Sequence, residues 1–226
     1  GNRGRWLLPI MGYAALQEED DDTWETATHA DRKLILSRVR RENPARGIEM
    51  LRAEWKNESA ADRIIVALDC SPDEAIVLGE KLAGHARWVK IGMTLYYAVG
   101  PSIVNTMHKL GFKVFLDLKL HDIPNTVKKA MAVLSSLDVD MVNLHAAGTR
   151  AMMSAALEGL TRADGTRPML IAVTQLTSTS QQSMEEEIGI HRPLEEVVID
   201  YAQNARLAGL DGVVCSPLEA GRIHEA

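Results

Sequence analysis

The sequence predicts an α/β fold, an incomplete (β/α)8 barrel that follows an α-helical N-terminal segment. Three observations favour this fold. From residue 63 onward, short and almost continuously apolar stretches alternate with amphipathic helical stretches, as in a parallel sheet that is covered by helices. Polar residues stand at the carboxyl ends of the apolar stretches, where barrel enzymes carry their active sites. About six strand–helix units can be recognised, whereas a closed barrel has eight.

The strands and helices of residues 63–226 can be placed from these patterns. Each strand is a short apolar run, and the first helix opens with Ser71-Pro72, which suits a first helical turn. The predicted strands are Ile64–Asp69, Trp88–Gly92, Phe112–Lys119, Met141–His145, Met169–Thr174 and Gly212–Cys215. The predicted helices are Ser71–Ala83, Leu95–Leu110, Pro124–Leu137, Ala147–Leu160, Leu194–Ala208 and Glu219–Ala226.

A doubly wound open sheet explains the alternation of strands and helices almost as well. Such sheets usually carry a Gly-rich phosphate-binding turn after the first strand, whereas this turn reads Asp69-Cys70-Ser71-Pro72. Polar residues at many strand ends favour the TIM barrel instead. These residues are Asp69, Lys90, Asp117, Lys119, His145 and Thr174.

Residues 1–62 have a different character and are predicted to form an α-helical segment distinct from the barrel of residues 63–226. One helix is expected from Ala30 to Arg41, and a second from an N-cap at Asn43 to about Lys56. Such a helical hairpin has too little partner surface to bury its own apolar face. It loosely resembles one unit of a HEAT-like helical repeat, through Arg5-Trp6-Leu7, Trp24-Glu25, Asn43-Pro44-Ala45-Arg46, Glu49-Met50-Leu51 and Trp55.

Composition indicates which kinds of binding partner and which cellular compartment to expect. The chain of 226 residues carries a formal net charge of −6, which gives no reason to expect a nucleic acid partner. Its apolar runs are too short to span a membrane. The two cysteines, Cys70 and Cys215, form no Cys-x-x-Cys motif, so neither a zinc site nor a disulfide framework is indicated. A reducing, cytoplasmic environment is the expected location.

A group of acids and lysines forms the candidate catalytic site. Side chains alternate between the two faces of a strand, so Asp117 and Lys119 are expected to point the same way. Asp122 lies just past this strand, and the two carboxylates would bracket the Lys119 ammonium group. Lys90 and Asp69 stand at the ends of other predicted strands. Charges at inner positions of an apolar strand are costly to bury unless they serve a function.

These charges suit one type of reaction. A substrate carboxylate held beside a fixed Asp is electrostatically stressed and tends to leave as CO2. The carbanion left behind lies beside an ammonium group, which stabilises it and then donates a proton. No metal or other cofactor is required. The roles of His121 and His145 stay open, because each residue can also serve only to shape its surroundings.

The stretch Asp117–Thr126 resembles the signature of the orotidine 5'-phosphate decarboxylase family, in the form common in bacteria. Members of this family convert orotidine 5'-phosphate into UMP in de novo pyrimidine biosynthesis. The resemblance extends over essentially all of residues 63–226. The other stretches that carry it are Val66–Asp69, Val89–Met93, Val142–Gly148, Ala172–Ser178 and Leu210–Ser216.

The resemblance implies roles for residues at matching positions. Asp69 and Lys90 would contact the ribose hydroxyls, and Lys90 would also belong to the charged array. Asp117 would lie against the substrate carboxylate, and Lys119 would donate a proton to C6 of the pyrimidine. The implied substrate is orotidine 5'-phosphate, and neither a metal nor another cofactor is implied.

The resemblance also implies a homodimer. In this family the second Asp of the signature reaches across the dimer interface, so Asp122, with Ile123 and Thr126, would complete the site of the neighbouring subunit. Thr177 would contact the edge of the pyrimidine ring. The polar segment of residues 178–191 would lie near the entrance of the site.

The family pattern is incomplete in this chain. The family's phosphate grip comes largely from the seventh and eighth strands, through a Pro-Gly-Ile-Arg stretch and a later Gly-Arg, and neither follows Ala226. A circular permutation would place them near the N-terminus, where Leu34–Arg38 faintly resembles the eighth strand. A foreign helical segment joined to a shortened barrel explains the sequence better. We therefore expect exposed strand edges and little activity.

Two other functions fit parts of the sequence. Metal-dependent sugar-phosphate decarboxylases of the same superfamily use a similar Asp-x-Lys-x-x-Asp strand, but favour an acidic Mg2+ ligand where Lys90 stands here. Alternatively, the chain is a helical adaptor whose barrel portion is an inactive remnant, an idea motivated by the Trp and Leu residues of the N-terminal segment. Binding of UMP analogues would argue against an adaptor.

Overall fold

The computed structural model describes residues 6–8 and 63–226 of the chain. Their strands are β1 (Trp6–Leu8), β2 (Ile65–Ala67), β3 (Trp88–Gly92), β4 (Lys113–Leu120), β5 (Met141–His145), β6 (Met169–Val173) and β7 (Gly212–Cys215). Their α-helices are α1 (Pro72–Leu82), α2 (Met93–Val99), α3 (Ser102–Lys109), α4 (Pro124–Ser135), α5 (Thr149–Leu160), α6 (Gln181–Glu186), α7 (Leu194–Leu207) and α8 (Ala220–Glu225). In this part of the chain no helix has the length and apolar character needed to cross a membrane.

The strands form a single sheet in the order β1-β7-β6-β5-β4-β3-β2. Strands β2 to β7 are parallel, and each lies beside its neighbour in the chain. Helices connect these strands, and the sheet curls into about half of a barrel. The predicted incomplete (β/α)8 barrel is therefore confirmed for residues 63–226.

The two edges of the sheet are formed by β2 and by β1. β1 pairs antiparallel with β7, and Trp6 lies opposite Cys215. An unpaired strand edge presents free backbone N–H and C=O groups, which a short extended segment can satisfy. Trp6 and Leu7 are thus in a strand, although they belong to the stretch that resembles a helical repeat. The helical hairpin predicted for residues 30–56 lies outside the described residues.

The prediction of one helix from Leu95 to Leu110 is wrong, because this stretch contains α2 and α3. Gly100 has a φ of 66°, which ends α2, and Pro101 follows it. Proline has no backbone N–H and disfavours helical geometry in the residue before it, so the chain turns here. The polar segment 178–191 contains α6, which was not predicted and whose N-cap Ser180 accepts a hydrogen bond from the Ser183 N–H.

The sheet separates a large apolar core from a smaller one. On its outer face, Val114, Leu116 and Leu118 of β4 pack in the core that the helices cover. The inner face carries a separate apolar layer of Trp88, Phe115, Met141 and Ile171, all buried. Since side chains alternate along a strand, the next inner positions lie two residues closer to the carboxyl ends. These positions on β3, β4 and β5 are Lys90, Asp117 and Asn143.

Candidate active site

A cavity of about 420 Å³ opens at the carboxyl ends of β2, β3 and β4. Asp69, Lys90, Asp117 and Lys119 line it, together with the loop before α1 and the start of α2. A cavity of this size suits a small-molecule ligand. The structure thus brings together the four charged residues that follow or end these strands. We refer to these four residues as the charged network.

The turn after β2 is fixed by the beginning of α1. The Ser71 hydroxyl accepts a hydrogen bond from the Glu74 N–H, and the Glu74 carboxylate accepts one from the Ser71 N–H at 3.0 Å. Pro72 occupies the first helical turn, where its missing N–H costs nothing. This capping box holds the loop that carries Asp69 at the rim of the cavity.

Asp117 is the centre of the charged network. Its side chain is 3% exposed, and both carboxylate oxygens have cationic partners. Oδ1 accepts hydrogen bonds from Lys119 Nζ at 2.5 Å and from Asn143 Nδ2 at 2.7 Å. Oδ2 lies 3.3 Å from Lys90 Nζ, which is also 3.1 Å from Asp69 Oδ1. Acids and lysines therefore alternate through the cavity.

The surroundings of Asp117 keep its carboxyl group ionised. Desolvation by burial acts to raise its pKa. The hydrogen bonds from Lys119 and Asn143, with the charges of Lys119 and Lys90, act in the opposite direction and prevail, so the pKa is lowered. A fixed negative charge therefore stands in the cavity at neutral pH.

The backbone of β4 is irregular at Lys119. Leu116 pairs with Val142 and Leu120 pairs with Leu144, so residues 117–119 face the single residue Asn143 of β5. Lys119 has a φ of 53°, in the left-handed region that residues other than Gly rarely adopt. Backbone strain of this kind costs free energy and is common at functional sites. The irregular stretch, residues 117–119, is called the β4 bulge below.

Asn143 joins the β4 bulge to the charged network, although we assigned it no role from the sequence. It is 1% exposed. Its Oδ1 accepts a hydrogen bond from the Lys119 backbone N–H at 2.8 Å, and its Nδ2 donates to Asp117. The sequence signal for it is a polar residue at an inner position of an apolar strand, because burying such a residue is costly without partners.

Two histidines lie beside the charged network. The rings of His121 and His145 are 5.6 Å apart. Burial, followed by the nearby charges of His121 and Lys119, lowers the pKa of His145, while Asp117 acts in the opposite direction. His145 is therefore neutral at neutral pH and contributes no positive charge to the site.

The cavity also contains a thiol, that of Cys70. Burial, followed by the charges of Glu74 and Asp69, raises the pKa of this thiol. It is therefore protonated at neutral pH and is a weak nucleophile. Among the described residues, no group of three or more His, Cys, Asp or Glu side chains is arranged to hold a metal ion.

Four predicted site residues lie outside the wall of the cavity. Asp122, Ile123 and Thr126 are exposed and follow β4, while Thr177 is exposed in the loop after β6. Asp122 Oδ1 accepts a hydrogen bond from the Ile123 N–H at 2.6 Å. In the described part of this chain Asp122 forms no ion pair with Lys119. Within this one chain only Asp117 contacts the Lys119 ammonium group, because the chain leaves the sheet before Asp122.

The arrangement suits chemistry on an anionic substrate. The Lys90 and Lys119 ammonium groups can attract an anion, and the ionised Asp117 repels any carboxylate placed against it. Lys119 can also deliver a proton to a carbanion that forms nearby. Both lysine side chains are mostly buried, which strengthens these electrostatic effects.

Comparisons with known families divide the chain into two matching segments. Residues 62–226 match the family described as orotidine 5'-phosphate decarboxylase / HUMPS family. Residues 1–67 match a family of unknown function, DUF5691. The orotidine 5'-phosphate decarboxylase of Bacillus cytotoxicus is 54% identical over 166 residues, which are 72% of this chain and 70% of that enzyme.

Solved structures agree with this match. A protein from Geobacillus kaustophilus, described as an uncharacterized conserved protein, is 54% identical with a TM-score of 0.68, over 71% of this chain and 77% of that chain. The orotidine 5'-phosphate decarboxylase from Lactobacillus acidophilus is 39% identical with a TM-score of 0.66, over 71% of this chain and 74% of that chain. The similarity covers the half-barrel and its cavity.

Proposed function

The chain belongs to the orotidine 5'-phosphate decarboxylase / HUMPS family, and from this premise we propose that it converts orotidine 5'-phosphate into UMP and CO2. This is a carboxy-lyase reaction of pyrimidine biosynthesis. The observation that carries the proposal is the alternation of acids and lysines in one cavity, from Asp69 and Lys90 to Asp117 and Lys119. The proposed substrate combines a carboxylate, a ribose and a phosphate.

In the proposed reaction Asp117 faces the carboxylate of the substrate. Two negative charges at close range repel each other, and the buried position of Asp117 leaves little solvent to screen them. Departure of CO2 removes this repulsion. The stress is thus present in the ground state and is relieved as the bond breaks, which favours the forward reaction.

Lys119 completes the proposed reaction. The bond between C6 of the pyrimidine and the carboxylate carbon breaks, CO2 leaves, and the electron pair stays on C6. The Lys119 ammonium group stabilises this carbanion and transfers a proton to C6, which leaves a neutral amine. Its contact with Asp117, at 2.5 Å, supports this role because it holds the ammonium group beside the carboxylate that faces the substrate. No cofactor takes part.

Asp69 and Lys90 are proposed to bind the ribose hydroxyls. Asp69 is accessible at the rim, with 64% of its side chain exposed, and its contact with Lys90 orients both groups. Lys90 also stands where the metal-dependent relatives favour an acidic metal ligand. An ammonium group in this position repels a divalent cation, so the geometry supports the cofactor-free reaction.

Three of the residues that lie away from the cavity are proposed to act on the substrate of a neighbouring subunit. Asp122, Ile123 and Thr126 would reach across the interface of a homodimer, and Thr177 would contact the edge of the pyrimidine ring. The exposure of these residues supports the proposal, and Ile123 in particular is 65% exposed although it is apolar. An interface is the usual place where such a side chain becomes buried.

The proposal is tested by following the loss of orotidine 5'-phosphate absorbance with the purified 226-residue chain and its Lys119→Ala variant. We expect slow turnover by the unaltered chain that persists in EDTA, and a further loss of about 10³-fold or more in the variant. Turnover that requires an added divalent metal would favour the metal-dependent alternative. A folded, unaltered chain that neither turns over the substrate nor binds UMP would contradict the proposal and support an adaptor.

A further inference from the structure

Asn143 lies where the charged network meets the β4 bulge. We propose that Asn143 is a positioning residue for the decarboxylation, which holds the Asp117 carboxylate and the Lys119 backbone in their reactive arrangement. This inference rests on the proposed function and deepens it, because it adds a residue that acts through the two reacting groups. Nothing in the charge pattern of the signature itself points to this residue.

The orientation of the Asn143 amide is dictated by its neighbours. When it is ionised, the Asp117 carboxylate accepts hydrogen bonds and cannot donate one. A backbone N–H donates a hydrogen bond and cannot accept one. The amide must therefore turn Nδ2 toward Asp117 and Oδ1 toward the Lys119 N–H, as observed at 2.7 Å and 2.8 Å. Both ends of one buried side chain are thus engaged by the two proposed catalytic residues.

The hydrogen bond from the Lys119 N–H to Asn143 Oδ1 supports the β4 bulge. The ladder between β4 and β5 is interrupted between Leu116 and Leu120, and the Lys119 N–H is bonded to a side chain instead. A buried N–H without a partner is costly, and the left-handed φ of Lys119 adds strain. The Asn143 Oδ1 therefore stabilises the backbone geometry from which the Lys119 side chain reaches Asp117.

The hydrogen bond from Asn143 Nδ2 to Asp117 matters when the proton is transferred. Asp117 Oδ1 is shared by Lys119 Nζ and Asn143 Nδ2. Lys119 becomes a neutral amine once it has protonated the substrate, and its attraction for Asp117 falls. The amide of Asn143 does not change its protonation state, so its hydrogen bond persists throughout the reaction. Asn143 thus keeps the carboxylate in place when its cationic partner is lost.

Two substitutions separate the bonds. Asn143→Ala removes both, whereas Asn143→Asp has almost the same shape and keeps an acceptor for the Lys119 N–H. Amide hydrogen exchange of Lys119 reports on the bond from its N–H to Asn143 Oδ1. A 13C NMR titration of the Asp117 carboxyl group reports on the bond from Asn143 Nδ2. Neither measurement depends on activity.

We expect the Lys119 amide to exchange at least about tenfold faster in Asn143→Ala, and to stay protected in Asn143→Asp. The pKa of Asp117 should rise in both variants. Asn143→Ala removes the hydrogen bond to the Asp117 carboxylate, and Asn143→Asp places a second carboxylate beside it. Unchanged exchange and unchanged titration in Asn143→Ala would overturn the inference.

Steady-state kinetics then test the consequence for catalysis. We expect kcat to fall about 10²-fold in Asn143→Ala while KM stays within about threefold, since the substrate contacts are intact but the reacting groups are misplaced. In Asn143→Asp the acid limb of the kcat profile should shift to higher pH. A kcat equal to that of the unaltered chain in Asn143→Ala would overturn the inference.

Ser135→Ala is the matched control. It also removes a buried side-chain hydrogen bond, the one from the Ser135 hydroxyl to the Leu160 carbonyl at 2.7 Å, but outside the charged network. It should leave the Lys119 exchange, the Asp117 titration and kcat unchanged, and a similar loss of kcat in this control would contradict a specific role for Asn143. An unaltered chain that folds but neither turns over the substrate nor binds UMP would overturn the proposed function itself, a result distinct from turnover that Asn143→Ala leaves unchanged.

Discussion

Asp117 and His145 show how burial affects two titratable groups in one site differently. Both groups are desolvated, which disfavours the charged form of each. Asp117 has hydrogen bonds and two lysines that favour its charged form. His145 instead lies near His121 and Lys119, which disfavour its charged form further. The pKa of each group is lowered as a result. Asp117 is therefore charged and His145 neutral at neutral pH, so Asp117 provides a fixed anion while His145 adds no cation beside it.

His145 should make the stability of the protein depend on pH below neutrality. Its pKa in the folded chain lies below the ordinary value near 6.5, so the unfolded chain binds the proton more readily. The stability linked to His145 is present above about pH 6.5 and is lost as the pH falls through the folded pKa. His145→Gln should reduce the loss of unfolding free energy between about pH 7.5 and 5.5, measured by urea unfolding.

His85→Gln is the control for this titration, because His85 is an exposed histidine away from the cavity. The pH dependence of its unfolding free energy is compared with that of His145→Gln. If His145→Gln gives the same slope as the unaltered chain, burial of His145 does not contribute to the acid sensitivity.

The charged residues of the site were predictable one by one, but their partner Asn143 was not. Asp117 and Lys119 interrupt an apolar strand with charges, which is a strong signal because burying charge is costly. An Asn in Met141–His145 is a weaker signal, since an amide can be satisfied in many ways. Only the register between β4 and β5 reveals that this amide has two partners.

Among the helices, α4 and α5 approach each other unusually closely. A Cβ atom on Gly159 would lie 2.0 Å from the carbonyl oxygen of Lys128, which is backbone and cannot move aside as a side chain can. An ion pair between Lys128 and Glu158 spans the same contact. Gly159 is therefore required for the packing of α5 against α4, the helix that begins within the family signature.

Gly159→Ala should destabilise the folded chain by about 2–3 kcal/mol, because the added methyl group forces the two helices apart. Gly221→Ala is the matched control, since Gly221 lies in α8 and an added Cβ would meet open space. It should change stability by less than about 1 kcal/mol, in the stabilising direction, because Ala favours the helix. Equal free energies of unfolding for the two variants, from chemical denaturation, would disprove the close contact.

At the scale of single elements, most helices and strands were predicted within a few residues. The strands Trp88–Gly92, Met141–His145 and Gly212–Cys215 were predicted with their observed bounds. The break between α2 and α3 was missed because the apolar spacing continues across Gly100 and Pro101, although both residues disfavour a helix. The β4 bulge was also missed, because alternation assumes a regular strand.

At the scale of the whole molecule, the proposed homodimer makes a quantitative prediction. Lys119→Ala and Asp122→Ala should each be inactive, because each removes one part of every site. In a mixed dimer, one site combines the intact Lys119 of one subunit with the intact Asp122 of the other. Random exchange of subunits should restore about a quarter of the activity of the unaltered chain.

The mixing experiment needs an assay after subunit exchange and a control without exchange. Unfolding and refolding the two variants together provides the exchange, and refolding them separately before mixing provides the control. No recovery of activity in the co-refolded sample, when the unaltered chain refolds to full activity, would contradict a shared site.

The amino-acid sequence by itself determined the alternation of strands and helices, the half-barrel architecture and the four residues of the charged network. These features follow from local patterns of apolar and charged residues, which a linear sequence contains in full. Tertiary structure alone decided the contacts of Asp117, the left-handed backbone of Lys119, the role open to Asn143 and the distance between α4 and α5. These features depend on register and packing between segments far apart in the chain, and a side chain acquires its partners only when those segments meet.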